Sequence, residues 1–371
     1  MSRATLITGA DGYLGRRVAA ALLEACEDEL ILAVRAEHAG EFADKRARLA
    51  AELGPGARDR TAYVVADLRR DDPLSDVPQR TVGRIVHAAA VTRFNVEAEV
   101  AGSVNVEGTR RLCAFAARCE SLERIALLST LYTAGRRKGT VAEARHTDNG
   151  FVNHYEWSKW AAEEHAFSAG DLPLSVLRLP TVIADDDSGT VVQYNAFHNT
   201  VKLFFYGLLS LVPGDPSTPL SLATAAFTAS AVTHLLDPAG PEGIYHLCPD
   251  PADTLTLGRL LDVVFDVFEQ DPDYRRRHLP RPLPCDRDGF EDLVEAASRL
   301  RGGPIEESLA SLAPFGTQLY LAKTFRNDAL RAAWPGYEAP DPAGLAEAVT
   351  RHLVATRWGR RPSARRTEEA V

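Results

Sequence analysis

The stretch that decides the fold is LITGADGYLGRR, residues 6–17. A short apolar run, ATLITGA, ends in glycine, and a segment with helical spacing, RRVAAALLEAC, follows at once. Gly9, Gly12 and Gly15 therefore fall between a first strand and a first helix. Glycines at that place allow a tight turn, let the backbone approach a pyrophosphate and let the helix pack closely on the sheet. The helix start then offers N–H groups and a partial positive charge to the phosphates. The spacing is G-x-x-G-x-x-G, shifted from the G-x-G-x-x-G form, and a glycine triplet alone also fits an ordinary strand–helix turn. Its place after the first strand and at the opening of the first helix makes dinucleotide binding the reading.

Working outward, short apolar runs alternate with longer amphipathic ones. LILAVR, TAYVVADL, RIVHAAAV and RIALLST read as strands two to five, with EFADKRARLAAEL and NVEGTRRLCAFAARC as helices between them. Such alternation implies βαβ units and a parallel sheet, and continuous apolar strands fit a sheet covered on both faces. The expected fold class is therefore α/β: a Rossmann-type, doubly wound parallel sheet with helices on both faces, plus a smaller C-terminal substrate-binding region. Residues 1–190 are assigned to the dinucleotide-binding domain, with a strand near 244–248 returning to it. Residues 191–358 form a largely helical substrate region, and 359–371 a disordered tail. TVVQYNAFHNTVKLFFYGLLSLV reads as one mostly apolar helix, either core or the lining of an acyl pocket.

Composition sets the outer bounds. The 371 residues suffice for a large core, and a net charge of −9 argues against a generic nucleic-acid binder. No apolar run is long enough to span a bilayer, and the N-terminus lacks a signal-peptide layout. The five cysteines, at 26, 113, 119, 248 and 285, form no Cys-x-x-Cys pair and have no histidines at zinc spacing. No metal site is expected. An odd, scattered count reads as reduced thiols, so the expected setting is cytoplasmic.

Strand two ends in AVRA, where an NAD-preferring site usually carries an acid for the ribose hydroxyls. Arg35 stands there instead, and a cation at that place suits a 2′-phosphate, so NADPH is the expected cofactor. Arg16 is placed to assist from the helix start. Asp67, at the end of strand three, either meets the adenine edge or caps the following turn.

Tyr155 and Lys159 stand four residues apart in NHYEWSKWAAEEHA, residues 153–166. With 10 tyrosines and five lysines in the chain, about 0.1 such pairs arise by chance. On a helix the two share one face, and an ammonium beside a phenol favours the phenolate, lowering the phenol's pKa. The pair alone is equally a helix-face neighbourhood. Ser129 and Thr130, closing strand five in LLSTLYTAG, put hydroxyls at the C-terminal edge of the sheet, where ligands of such sheets sit.

Taken together, TGADGYLG, HAAA (87–90), LLST (127–130) and YEWSK (155–159) resemble an extended short-chain dehydrogenase/reductase in order and spacing. The resemblance implies Tyr155 as proton donor and Lys159 as binder of the nicotinamide ribose. It puts Thr130 at the third catalytic position. Asn105, in VNVEGT, matches the helix asparagine that shapes the proton relay or the local backbone, with a buried structural amide as the other reading. Cofactor contacts are implied at Gly9, Asp11, Gly12, Tyr13, Leu14, Gly15, Arg35, Asp67, Leu68, Ala88, Ala89, Lys159, Pro180 and Val182, and substrate contacts at Ser129 and His154.

SKWAAE (158–163), LLST, the V-R-A run with its basic helix, VLRLPTVIADDDSG (176–189) and AKTFRNDALRAAWPG are similar to the thioester reductase branch, which includes carboxylic acid reductase domains and fatty acyl-CoA reductases. The branch implies NADPH-dependent reduction of an acyl thioester to an aldehyde, and from there to an alcohol where a second hydride follows. No carrier or adenylation domain is expected in this chain, so the thioester is expected on a separate acyl or peptidyl carrier protein or on CoA. DYRRRHLPR (273–281) and the Arg-rich tail are candidate basic patches for it, or solvated charge runs. The family implies a monomer or homodimer. His154, Trp157 and SLATAAFTASAV depart from the branch pattern, which leaves the substrate class open. The other readings are a ketone or aldehyde reductase, a nucleotide-sugar epimerase or dehydratase (disfavoured by Arg35) and an NADPH-binding sensor, which would not need Thr130, Tyr155 and Lys159 together.

Overall fold

The protein is described from a computed structural model, which describes residues 3–299, 313 and 315–360. The expected tail lies outside the described residues beyond Arg360. The chain divides into two compact units. The first comprises Met1–Pro180, Ala225–Pro251 and Lys323–Ala339, and the second Thr181–Thr224, Ala252–Ala322 and Pro340–Val371.

The first unit is built on a seven-stranded sheet. Its strands include β1 (Ala4–Thr8), β2 (Glu29–Val34), β3 (Thr61–Val65), β4 (Val82–His87) and β5 (Arg124–Thr130). A short strand β6 (Gly139–Val141) pairs elsewhere, with Lys323–Phe325, before β7 (Leu174–Leu179) rejoins the sheet. The spatial order is β3-β2-β1-β4-β5-β7, with Ile244–His246 beyond β7, and every pairing is parallel. The order reverses at β1, so the crevice between β1 and β4 opens at the C-terminal edge, where such sheets bind ligands. All residues of β1 and β5 are buried, as strands covered on both faces require.

Helix α1 (Tyr13–Ala25) buries Gly15, Val18, Ala19 and Leu22, one face at helical spacing. Helix α2 (Ala39–Leu53) is the expected charged helix. The helix expected from Asn105 onward starts earlier. A short α3 (Ala98–Ala101) runs into a π-helical turn, Gly102–Val106, and then α4 (Glu107–Ala116). Asn105 holds the wide turn open by bridging to Val91, accepting from its N–H at 2.8 Å and donating to its carbonyl at 3.0 Å. Helix α5 (His154–Phe167) starts on an Asn153 cap that accepts from the Glu156 N–H at 3.0 Å.

The second unit packs the helices Ala196–Phe205, Leu257–Phe268 and Pro342–Thr356 around Phe204, Phe205, Phe265, Phe268 and Trp358. The single long apolar helix expected over 190–212 is shorter. A capping box of Asn195 and His198 starts it, Gly207, at φ 69°, lies just past its end, and Leu211–Pro213 is a strand. Its buried phenylalanines make this segment core. The arginines of 273–281 are largely engaged. Arg277 lies over the rings of Phe205 and Tyr274, Arg281 pairs with Asp262 at 3.2 Å, and Arg276 pairs with Asp273.

Four histidines are buried and held below their ordinary pKa. Burial drives His87, His146 and His246 down to about 3 and His198 to about 4; Lys159 adds to the effect at His87 and Arg178 at His146 and His246. Each takes up its proton in the unfolded chain near pH 6.5 but not in the folded one. Stability from them is complete above about pH 6.5 and falls by about 1.4 kcal/mol per histidine per pH unit below it. Glu143, pushed up by burial, works in the opposite sense, one group against four. Thermal unfolding followed by circular dichroism should show Tm falling steadily from pH 6.5 to 4.5. A Tm flat across that range would contradict this.

Candidate active site

The glycine turn is packed too closely for any other residue at two positions. Gly9 has φ 68°, and a Cβ there would stand 2.7 Å from the Ala89 Cα. A Cβ on Gly15 would overlap the Gly9 carbonyl oxygen. The end of β4 is fastened beside the turn, because the Ala88 N–H donates to the Thr8 carbonyl at 3.2 Å and the Ala89 N–H to the Thr8 hydroxyl at 3.3 Å. Helix α1 opens after Gly12 with no side-chain cap, so it turns its N–H groups and dipole toward the turn. Asp11 pairs with Lys45 of α2 at 3.4 Å, and the Lys45 ammonium donates to the Arg35 carbonyl at 2.6 Å. Tyr13 lies under the Arg16 guanidinium, and Leu14 is half-buried. This cradle of glycines, an uncapped helix start and closely held backbone fits a dinucleotide pyrophosphate.

At the ribose end, Arg35 is half-exposed and its ion pair with Glu37 is long, at 3.9 Å. Arg16, expected to assist, is instead gripped by both carboxylate oxygens of Glu52 at 2.9 and 3.0 Å. Asp67 follows the turn-capping reading. It accepts from the Arg69 N–H at 3.0 Å and from the Arg69 Nε at 2.9 Å, and the Arg69 side chain holds it down to about 2. Leu68 packs against Gly108. Pro180 ends the first unit, whereas Val182 belongs to the second, paired with Ala223.

The chemistry-bearing side chains meet on the seam between β5 and α5. Tyr155 is buried, and its hydroxyl shares a hydrogen bond with Thr130. Thr130 also accepts from the Tyr132 N–H at 3.3 Å and donates to the Leu179 carbonyl at 3.4 Å. The Lys159 ammonium, one helical turn on, donates to the Leu128 carbonyl at 2.7 Å. Asn105 donates to the Ser158 hydroxyl at 2.9 Å, which in turn donates to the Tyr155 carbonyl at 2.9 Å. Phe94 meets the Tyr155 ring edge-on, with centroids 5.6 Å apart.

Protonation follows burial. The Tyr155 phenol is pushed up by desolvation, against the Thr130 hydrogen bond, so it keeps its proton through the physiological range. The depression by Lys159 anticipated from the spacing is not found: the one group that lowers the phenol is Thr130, and removal from water outweighs it. Burial lowers Lys159 to about 8, with Glu163 opposing. The ammonium charge is therefore present below about pH 8 and lost above it.

Of the expected substrate contacts, Ser129 points its hydroxyl into the protein and donates to Glu163 at 2.5 Å. His154 is exposed at the start of α5. The exposed Trp157 lies against Gly102. Reasoning from sequence missed His87, which links the Thr8 hydroxyl at 2.7 Å to the Thr109 hydroxyl at 3.1 Å. Thr109 then donates to the Asn105 carbonyl at 2.7 Å, so the glycine turn and Asn105 share one buried chain of hydrogen bonds. The histidine that opens HAAA was its only visible signal.

A glycine cradle at the switch point, with a Thr-Tyr-Lys set beside it, defines an NAD(P)-binding oxidoreductase of the extended short-chain dehydrogenase/reductase type. The chain belongs to the NAD-binding family described as Male sterility protein, which matches residues 7–232. It is 32% identical over 199 residues to an isonitrile lipopeptide synthase of Streptomyces coeruleorubidus, an alignment covering 50% of this chain and 14% of that protein. The chain thus spans a small part of that relative's length. Its fold is similar to the terminal R domain of the myxalamid PKS-NRPS pathway (TM-score 0.75, 20% identity, 95% of this chain and 90% of that one). It is also similar to the reductase (R) domain of a nonribosomal peptide synthetase from Mycobacterium tuberculosis (TM-score 0.69, 22% identity, 95% and 92%). Among the described residues, no helix is long and apolar enough to cross a membrane.

The cradle makes a direct prediction. Gly9→Val forces a branched side chain into a left-handed backbone against Ala89, and should weaken NAD(P)H binding at least about tenfold by calorimetry. Unchanged affinity would show that the turn does not hold the cofactor.

Proposed function

We propose that the protein is an NADPH-dependent reductase of acyl thioesters, releasing an aldehyde and a thiol. The observation that carries this reading is the seam on which Thr130, Tyr155 and Lys159 meet, at the sheet edge shared with the glycine turn. Gly9, Gly12, Gly15 and the start of α1 would hold the pyrophosphate, the backbone at Ala88 and Ala89 would flank it, and Arg35 would hold the 2′-phosphate. When bound, the reduced nicotinamide supplies a hydride to a carbonyl carbon.

The chain's own residues handle the oxygen. Thr130 and Tyr155 donate hydrogen bonds to the carbonyl oxygen, where negative charge develops, and the protonated Tyr155 gives up its proton to it. The buried Lys159 ammonium stabilises the phenolate left behind. With a thioester, the product of this step is a hemithioacetal. Its hydroxyl proton then leaves, the C–S bond breaks, and the sulfur departs as a thiol once protonated. Support for a thioester comes from SKWAAE and LLST, and from similarity to proteins named as a lipopeptide synthase and as R domains. A carrier-protein thioester is the substrate form most consistent with those names.

Two measurements test the proposal. NADPH oxidation should depend on acyl-carrier or acyl-CoA thioesters, and turnover of ketones but never of thioesters would refute it. Arg35→Ala should lower the NADPH/NADH preference by about 1.5–3 kcal/mol, the worth of a charged hydrogen bond, through the KM for NADPH. An unchanged preference would remove Arg35 from the 2′-phosphate site.

A further inference from the structure

Glu163 lies one helical turn beyond Lys159, as Lys159 lies one turn beyond Tyr155. It is fully buried, and its carboxylate is held from two strands at once. One oxygen accepts from the Ser129 hydroxyl of β5 at 2.5 Å. Arg178 of β7 donates to it from Nε at 3.0 and 3.2 Å and from a terminal nitrogen at 2.7 Å. Arg178 is itself fixed, donating to the Ala144 carbonyl and to the His146 Nε2, each at 2.9 Å. The His146 carbonyl accepts from the Trp160 indole at 2.7 Å, which returns the network to α5.

Three consecutive residues of β5 thus address three successive turns of α5. Thr130 meets Tyr155, the Leu128 carbonyl meets Lys159, and Ser129 meets Glu163. Two of these contacts belong to the chemistry proposed above. The third joins buried protein groups, and four hydrogen bonds from Ser129 and Arg178 fix its carboxylate. A buried ion pair is a poor source of stability compared with apolar packing of the same shape, so its value lies in direction. We propose that Glu163 is a positioning residue: clamped by Ser129 and Arg178, it fixes α5 on β5 in the register that sets Tyr155 against Thr130 and Lys159 against the Leu128 carbonyl. The proposal rests on Tyr155 and Lys159 being the acid–base pair.

Glu163 also shares an environment with the Lys159 ammonium. The charged and titratable groups that interact with that ammonium are Glu163 on α5 and His87 on β4, and Tyr155 stands one turn before it on the same helix. Since His87 stays neutral, Glu163 is the anion that favours the ammonium.

The test compares Ser129→Ala, Glu163→Gln and the paired Glu163→Met/Arg178→Met with wild type and Tyr155→Phe. Ser129→Ala should lower kcat about tenfold while KM for NADPH and thioester stays near wild type. Hydrogen exchange should rise across residues 155–163. In Glu163→Gln the alkaline limb of the kcat–pH profile should move down by about one pH unit. The paired variant removes both members of the Glu163–Arg178 ion pair, so neither is left buried without the other; it should fold and still show the loss in kcat, which separates positioning from the loss of one ion-pair partner. Wild-type kcat and pH profile in Ser129→Ala and the paired variant, with Tyr155→Phe inactive, overturns the proposal and leaves the acid–base reading intact. Wild-type turnover in Tyr155→Phe overturns both.

Discussion

Helix α5 buries Glu156, Lys159 and Glu163 along with Tyr155, and each of these groups costs free energy unless a partner meets it. The first unit supplies those partners. Glu156 accepts from the Val152 N–H at 3.0 Å and from the Asn153 amide at 3.0 Å, which closes the start of the helix. Lys159 is answered by a strand carbonyl, and Glu163 by Arg178 and Ser129. Removing one member of a buried pair typically costs about 3–5 kcal/mol, so the helix has little freedom to turn or slide. Tyr155 and Thr130 meet because everything around them is pinned.

The same constraint explains the protonation pattern. A phenol that serves as a proton donor has to hold its proton until an oxyanion needs it, and burial ensures that. An ammonium that stabilises a phenolate has to stay charged in a poor solvent. Burial works against it, and the nearby Glu163 carboxylate opposes that effect in part. The π-helical turn at Gly102–Val106 belongs to this arrangement, since it lets Asn105 reach both Val91 and Ser158 beneath the tyrosine.

What the sequence made legible was local. The glycine turn, the alternation of strands and helices, and the four-residue spacing of Tyr155 and Lys159 act through neighbours in the chain, so their pattern carries the reading. What it concealed was set by distant partners. Glu52 lies 36 residues from the Arg16 it captures, and nothing in the helix start announces it. Asp67 is the exception: its partner Arg69 is two residues away, but the pattern of the strand end does not place that side chain. Ser129 looked like a substrate contact because it closes a strand beside Thr130, but alternation along the strand turns its hydroxyl inward to Glu163. The apolar run over 190–212 hid a cap at Asn195 and a break at Gly207 that periodicity alone does not show.

On the proposed reading, the reduced nicotinamide gives a hydride to a thioester carbonyl and this seam supplies the proton. The most direct test supplies NADPH deuterated at the transferable position together with an acyl thioester on a carrier protein, and analyses the products by mass spectrometry. Wild type should yield an aldehyde with one deuterium on the former thioester carbon and one equivalent of free thiol, and Tyr155→Phe should bind the cofactor yet form almost none. Thiol release without deuterium in the product, or equal yield from Tyr155→Phe, would contradict the account.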